Sequence, residues 1–151
     1  MWQFLFFQIA DQHFALPVAC VERVLPAMEI TPVEGAPSSL LGIIDVHGKI
    51  IPVIDIRKRL ALPVKAIDLS DQLIIVKTST IQIAFVSDQV EDVVSLSEEQ
   101  VIPLQNFVQK THPYVENLIQ LDEHLIKLYD FPRVFDLEEM NIDPVVLGIK
   151  Q

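Results

Sequence analysis

At 151 residues, half of them apolar and 21% charged, the chain can bury the core of one ordinary domain or of two very small ones sharing a core, and it is too apolar to be disordered. The formal charge of −10 sits in one half: residues 1–68 carry six Lys/Arg against seven Asp/Glu, residues 69–151 five against fourteen. A surface this acidic, with no basic stripe, excludes nucleic acid as a partner and disfavours an anionic membrane.

The opening "MWQFLFFQIADQ" is apolar but lacks a basic leader and turns acidic after ten residues, so it reads as a first strand rather than a signal peptide. No stretch approaches the length needed to span a bilayer, and Cys20, the sole cysteine, allows no intrachain disulfide. The expectation is a soluble cytoplasmic protein.

In chain order, the first run leads into an internal repeat. Shifted by 69 positions, residues 4–25 lie over 73–94 without a gap: Phe6 meets Ile75, Phe14 meets Ile83, Ala15 meets Ala84, Leu16 meets Phe85 and Val24 meets Val93. Shifted by 75, "GIIDVHGKIIPVIDI" falls on residues 117–131, with Ile43 over Leu118, Val46 over Leu121, Ile50 over Leu125 and Asp55 over Asp130. The difference in offset belongs to a longer connection in the second copy (95–116) than in the first (26–41). Each copy reads as a hairpin, a valine-spaced segment, a linker and a second hairpin. Val18, Val21 and Val24, with Val90 and Val93 in the second copy, suit one helical turn or an irregular strand. "TPVEGAPSSL" is turn chemistry. "SLSEEQVIPL" suits a short turn capped by Ser97 and stopped by Pro103. One helix is expected near the C-terminus, from Asp130 to Met140, with Val134, Phe135 and Leu137 inward.

In the hairpin of residues 43–56, His47-Gly48 occupies a two-residue turn for which Gly48 supplies the positive φ. Alternation places Ile44, Val46, Ile50, Ile54 and Ile56 on one face and Ile43, Asp45, His47, Lys49, Ile51 and Val53 nearer the other. Pro52 cannot donate a ladder hydrogen bond, which suggests an edge strand or a bulge. Arg57, Lys58 and Arg59 form the one cationic cluster. Catalysis has little support. Cys20 lies in a valine-rich segment, and His13, His47, His112 and His124 show no metal-ligand spacing. No phosphate-binding loop or nucleophile motif is present, so neither catalytic nor metal-binding residues are expected.

Three segments in order, "ALPVACVERVL", "TPVEGAPSSLLGIIDVHGKIIPVIDIRKRL" and "VSDQVEDVVSLSEEQV", resemble the CheW-like family of chemotaxis coupling proteins over about residues 3–137. The resemblance implies a mainly β fold: two intertwined five-stranded SH3-like barrels sharing a hydrophobic core, with a few short helices. Strands would be exchanged between barrels of roughly 14–82 and 1–13 plus 83–137, followed by a C-terminal extension, 138–151. It implies no enzyme activity and no cofactor, but an adaptor joining the regulatory domain of the histidine kinase CheA to the helical-hairpin tip of chemoreceptors (methyl-accepting chemotaxis proteins). Carried over, the receptor-binding groove comprises Val18, Val21, Val24, His47, Val90 and Val93, and the kinase contact Ile44, Asp45, Lys49 and Arg57. The alternative is a divergent adaptor for a non-flagellar chemosensory pathway, serving twitching motility or second-messenger signalling. Three departures favour that alternative, one of them the acidic second half. His47 stands where the family usually has an arginine, a permanent cation that histidine is not. Glu116-Asn117 replaces a usual glycine, with Asn117 expected to tolerate a positive φ.

Overall fold

The computed structural model describes residues 2–78, 81–107 and 114–143. Eleven strands and two single-turn helices follow one another along these residues. The first copy contains β1 (Trp2–Ile9), β2 (Gln12–Pro17), β3 (Val21–Pro26), β4 (Leu40–Val46), β5 (Lys49–Ile54) and α1 (Ile56–Arg59). The second contains β6 (Gln72–Lys77), β7 (Gln82–Ser87), β8 (Gln89–Leu96), β9 (Val101–Pro103), β10 (Val115–Leu121), β11 (His124–Tyr129) and α2 (Phe131–Val134). An offset of 75 carries β4, β5 and α1 onto β10, β11 and α2 residue for residue, and an offset of 69 carries β1, β2 and β3 onto β6, β7 and β8 within a residue or two at each end.

The strands form a six-stranded sheet, β8-β1-β2-β11-β10-β9, and a five-stranded sheet, β3-β6-β7-β5-β4. Neighbours are antiparallel except for one parallel pair in each sheet, β2 with β11 and β7 with β5, which are themselves equivalent under the repeat. The architecture is therefore mainly β, with the three-residue β9 as an addition to the expected five strands of the first barrel. Each sheet mixes the copies. The β1–β2 hairpin inserts between β8 and β11, and β6–β7 inserts between β3 and β5. Sheet membership changes at the 3₁₀ turn Val18–Cys20 and at Asp88, rather than at 13/14 and 82/83. The expected boundaries fall inside hairpins, whose strands stay antiparallel neighbours.

Each barrel interior is built from both copies. Phe4, Phe6, Ala15, Ile119, Ile126 and Leu128 fill the first. Leu73, Ile75, Ala84, Ile44, Ile51 and Val53, their counterparts under the two offsets, fill the second. The opposite faces of the two sheets close on a larger shared core. There Phe7 of the first sheet meets Phe85 of the second with ring centroids 5.4 Å apart, and Phe131 of α2 stands against both at 6.1 and 6.4 Å. Tilted and offset rings at such distances add to the gain from burial alone. Both faces of each sheet are thus buried in part, one in its own barrel and one in the core it shares with the other.

Several local expectations need correction. The C-terminal helix ends after one turn: Asp130 caps α2, accepting from the Arg133 amide, and Asp136 then starts a separate turn by accepting from the amides of Glu138 and Glu139. Val134, Phe135 and Met140 are nonetheless buried. The β4–β5 turn has positive φ at both central residues, 52° at His47 and 86° at Gly48, so the register pairs Ile44 with Ile51 and Val46 with Lys49. A two-residue turn sets even-numbered residues opposite odd ones. Ile44 and Ile51 therefore share the barrel interior, while Ile54 and Ile56 face the shared core. Strand β5 is internal and β4 is the edge; pairing of β5 with β7 begins at Val53, just past Pro52. Asn117 sits at a bulge in β10 without a positive φ. Its counterpart Gly42 has φ 156° and packs against the Thr31 carbonyl, with which Ile43 forms an isolated bridge.

Candidate functional site: a seam between two barrels

Strands β3 and β8 are the outer strands of their sheets. On β3, Val21 pairs with Val76 and Val24 with Ile74; on β8, Val93 pairs with Leu5 and Val90 with Phe7. All four partners belong to the shared core, and directly paired residues lie on one face of a sheet. These valines therefore extend the facing surfaces of the two sheets outward, along the seam. Val18, Val21, Val24 and Val90 are half-buried against the shared core, and Val93 is 54% exposed. The Val90 amide donates to Gln72 Oε1 at 2.8 Å, which ties the start of β8 to β6, the strand that pairs with β3. Val18, Val21, Val24 and Val90 thus sit on the flank of the shared core, and Val93 continues the same face of β8 outward.

His47 lies elsewhere. It is exposed at the tip of the β4–β5 hairpin, beside a concavity of ≈ 510 Å³ lined also by Glu22, Arg23, Lys49, Ile75 and Gln82. Arg23 pairs with Ile75, which faces the second barrel's interior, so this concavity is on the opposite side of β3 from Val21 and Val24. Asp45 and Lys49 flank His47 on the surface, and Asp45 Oδ1 accepts from the Gly48 amide at 2.7 Å, which fixes the turn. Gln82 donates its side-chain amide to Glu22, while its buried Oε1 has no partner among the described residues. Ile44, read as a contact residue, is 1% exposed and belongs to the barrel interior.

Arg57 is also turned inward. Its guanidinium donates to both oxygens of Asp88, at 2.7 and 2.8 Å, and to the Pro63 carbonyl at 2.8 Å. Asp88 accepts in addition from the Ala10 amide of the β1–β2 turn at 2.9 Å, and Lys65 lies 3.8 Å away. Burial alone would raise the Asp88 carboxyl; the Arg57 fork, the Ala10 amide and the nearby cations outweigh it and hold the group below the usual carboxylate range. Lys65 is shifted upward, chiefly by its hydrogen bond to Asp71. The rest of the cationic cluster is likewise structural. Arg59 of α1 donates to the Val134 and Arg133 carbonyls at the end of α2, both at 3.0 Å, and stacks on the Tyr114 ring at 5.1 Å. Lys58 bonds Ser38.

The candidate site is therefore the apolar margin of the shared core along β3 and β8, between two barrels cross-tied by ion pairs. Residues 3–141 match the CheW-like domain family. The chain belongs to the CheW-like family. It is 29% identical over 133 residues to the chemotaxis protein CheW of Bacillus subtilis (strain 168), covering 87% of this chain and 85% of that protein. It is 28% identical over 141 residues to the CheW of Thermotoga maritima, covering 93% and 91%. The fold is similar to the crystal structure of the scaffolding protein TtCheW from Thermoanaerobacter tengcongensis, with a TM-score of 0.79 and 25% identity over 89% of this chain and 92% of that one. Like the rest of the family, this CheW-like chain is a chemotaxis scaffold rather than an enzyme. No helix among the described residues is long and apolar enough to cross a membrane.

Sequence reasoning missed the Arg57–Asp88 cross-tie, although the repeat contained its signal. The positions equivalent to Arg57 and Asp88 are Pro132 and Ala19, so only one copy can form the pair.

Proposed function

We propose that this CheW-like chain is a cytoplasmic, non-catalytic adaptor that couples the helical-hairpin tip of a chemoreceptor to the regulatory domain of the histidine kinase CheA. The observation that carries the reading is the apolar seam: Val18, Val21, Val24, Val90 and Val93 lie on the two facing sheet surfaces, and an amphipathic helix laid along them would bury its anchors there. The exposed His47, with Asp45 and Lys49, supplies a polar second surface on the far side of β3 for a different partner contact. Two surfaces on opposite sides of one strand suit a protein that joins two others. For such a bridge to transmit a signal, its contacts must differ in free energy between the kinase-on and kinase-off assemblies.

The test is direct. Mixed with a CheA regulatory domain and a receptor-tip hairpin from the same cell, the chain should co-elute with each alone and with both together. Failure to bind any kinase regulatory domain of that organism would remove the reading. The alternative, an adaptor for a non-flagellar chemosensory pathway, draws on His47 at the hairpin tip and on the acidic second half; it predicts co-elution with that pathway's kinase and receptor only.

A further inference from the structure

The repeat makes the two changes of sheet equivalent, and the structure makes them differ. At Asp88 the crossing is closed by the Arg57 fork, the Ala10 amide and Lys65. At Val18–Cys20 the side chains at the corresponding positions, Ala19 and Pro132, carry neither charge nor donor. Among the described residues a cavity of ≈ 950 Å³ opens there instead. Its walls are Leu16, Cys20, Val76, Ile81, Phe131 and Phe135. Its polar lining is acidic in balance, with Asp136, Glu138 and Asp143 against Lys77. None of the seam valines and no atom of the His47 surface lines it.

From this cavity we infer a small-molecule site for an amphiphilic cation, a compound with an aromatic or aliphatic body and one positive charge. The volume is at the upper end of the range of ligand pockets, about 300–1,000 Å³, and an apolar wall with a few charged groups is their usual make-up. The apolar body takes the place that the ion pair fills at the equivalent crossing. The positive charge meets the carboxylates of Asp136 and Glu138. An anion of the same shape meets the same wall but the wrong rim. The site is independent of the receptor and kinase surfaces, so it stands or falls without them.

Cys20 lines the cavity and is the sole cysteine of the chain, which makes it a built-in reporter. The experiment measures the rate of Cys20 alkylation by iodoacetamide at pH 8.5 on the full chain, with tetraphenylphosphonium or its isosteric anion tetraphenylborate. Tetraphenylphosphonium should slow alkylation saturably, by fivefold or more, and tetraphenylborate should not. Glu138→Lys, an exposed substitution, should abolish the cation's protection while leaving the melting temperature unchanged; Leu137→Lys, at the half-buried wall, should abolish it as well. Equal protection by both ions, or by neither, overturns the inference. So does faster alkylation on truncation after Asp143 with no effect of the cation on the full chain.

Discussion

Arg57 and Asp88 form an ion pair, with Nη2 alone 2.7 and 2.8 Å from the two carboxylate oxygens, at the point where the chain passes from one sheet to the other. Arg57 follows β5 in the second barrel, and Asp88 also holds the β1–β2 turn of the first through the Ala10 amide. Side-chain exposure is 14% for Arg57 and 27% for Asp88, so the pair is shielded more than a surface bridge. Asp88→Asn should cost about 2 kcal/mol at pH 7, the worth of a charge-assisted hydrogen bond pair. The carboxyl is held below its unfolded value of roughly 4, so its contribution is full above that pH and is lost as pH falls through the lower folded value. Urea unfolding of the two proteins should differ at pH 7 and converge toward pH 2. A gap that persists in acid would mean that the variant acts through packing instead.

Gly42 has a different kind of necessity. A Cβ built there would lie 2.3 Å from the Thr31 carbonyl oxygen, a backbone atom that is fixed by paired bonds to Ile43 of 2.8 and 2.9 Å. Gly42→Ala should therefore cost about 3 kcal/mol or more, since either the bridge or the bulge must give way. Gly48→Ala is the control: it has positive φ but nothing within 4 Å, and about 1 kcal/mol is expected. Thermal melts of the two variants should rank in that order; equal losses would remove the close-approach argument.

The residues explain why the fold was so largely legible. Phe4, Phe6 and Ala15 carry the same inward alternation as Leu73, Ile75 and Ala84, and Asp55 and Asp130 cap equivalent helical turns, so the repeat survives in the hydrophobic positions although few identities remain. The exchange boundaries were not legible. Strands such as "LIIVK" are buried on both faces and show no alternation to say which sheet they join. Pairing partners are far apart in sequence, as with Val53 and Ala84. The valines of β3 and β8 stand out because they repeat. The family resemblance places His47 with them because, unlike the register of β3, it does not distinguish the two faces of that strand.

His47 provides a test of partner choice separated from stability. It is exposed, has φ 52° and makes no side-chain hydrogen bond among those described, so His47→Arg should change folding stability by no more than about 0.5 kcal/mol. Its effect belongs to recognition. Under the receptor–kinase reading, a permanent five-donor cation at the hairpin tip tightens binding to ordinary CheA–receptor partners and makes it more salt-sensitive. Titration calorimetry at two salt concentrations measures both. Unchanged or weaker binding, with the melting temperature intact, would favour the divergent adaptor.

The seam can be probed at Val93 with little risk to the core. Val93 is 54% exposed, so Glu at this position keeps its own carboxylate hydrated while placing a charge on the face that continues Leu5 and the shared core. If an apolar helix lies there, it must desolvate that charge or lose its anchor. Either outcome costs about 1.4 kcal/mol or more, a tenfold loss of affinity. Leu125→Glu is the matched control: Leu125 is 65% exposed on β11, away from both β3 and β8. Fluorescence anisotropy of a labelled receptor-tip hairpin should show weaker binding for Val93→Glu and none of that loss for Leu125→Glu, with both variants melting like the parent. Equal affinity in all three proteins would take the receptor away from the seam, and a loss with Leu125→Glu alone would move it to the outer face of β10 and β11.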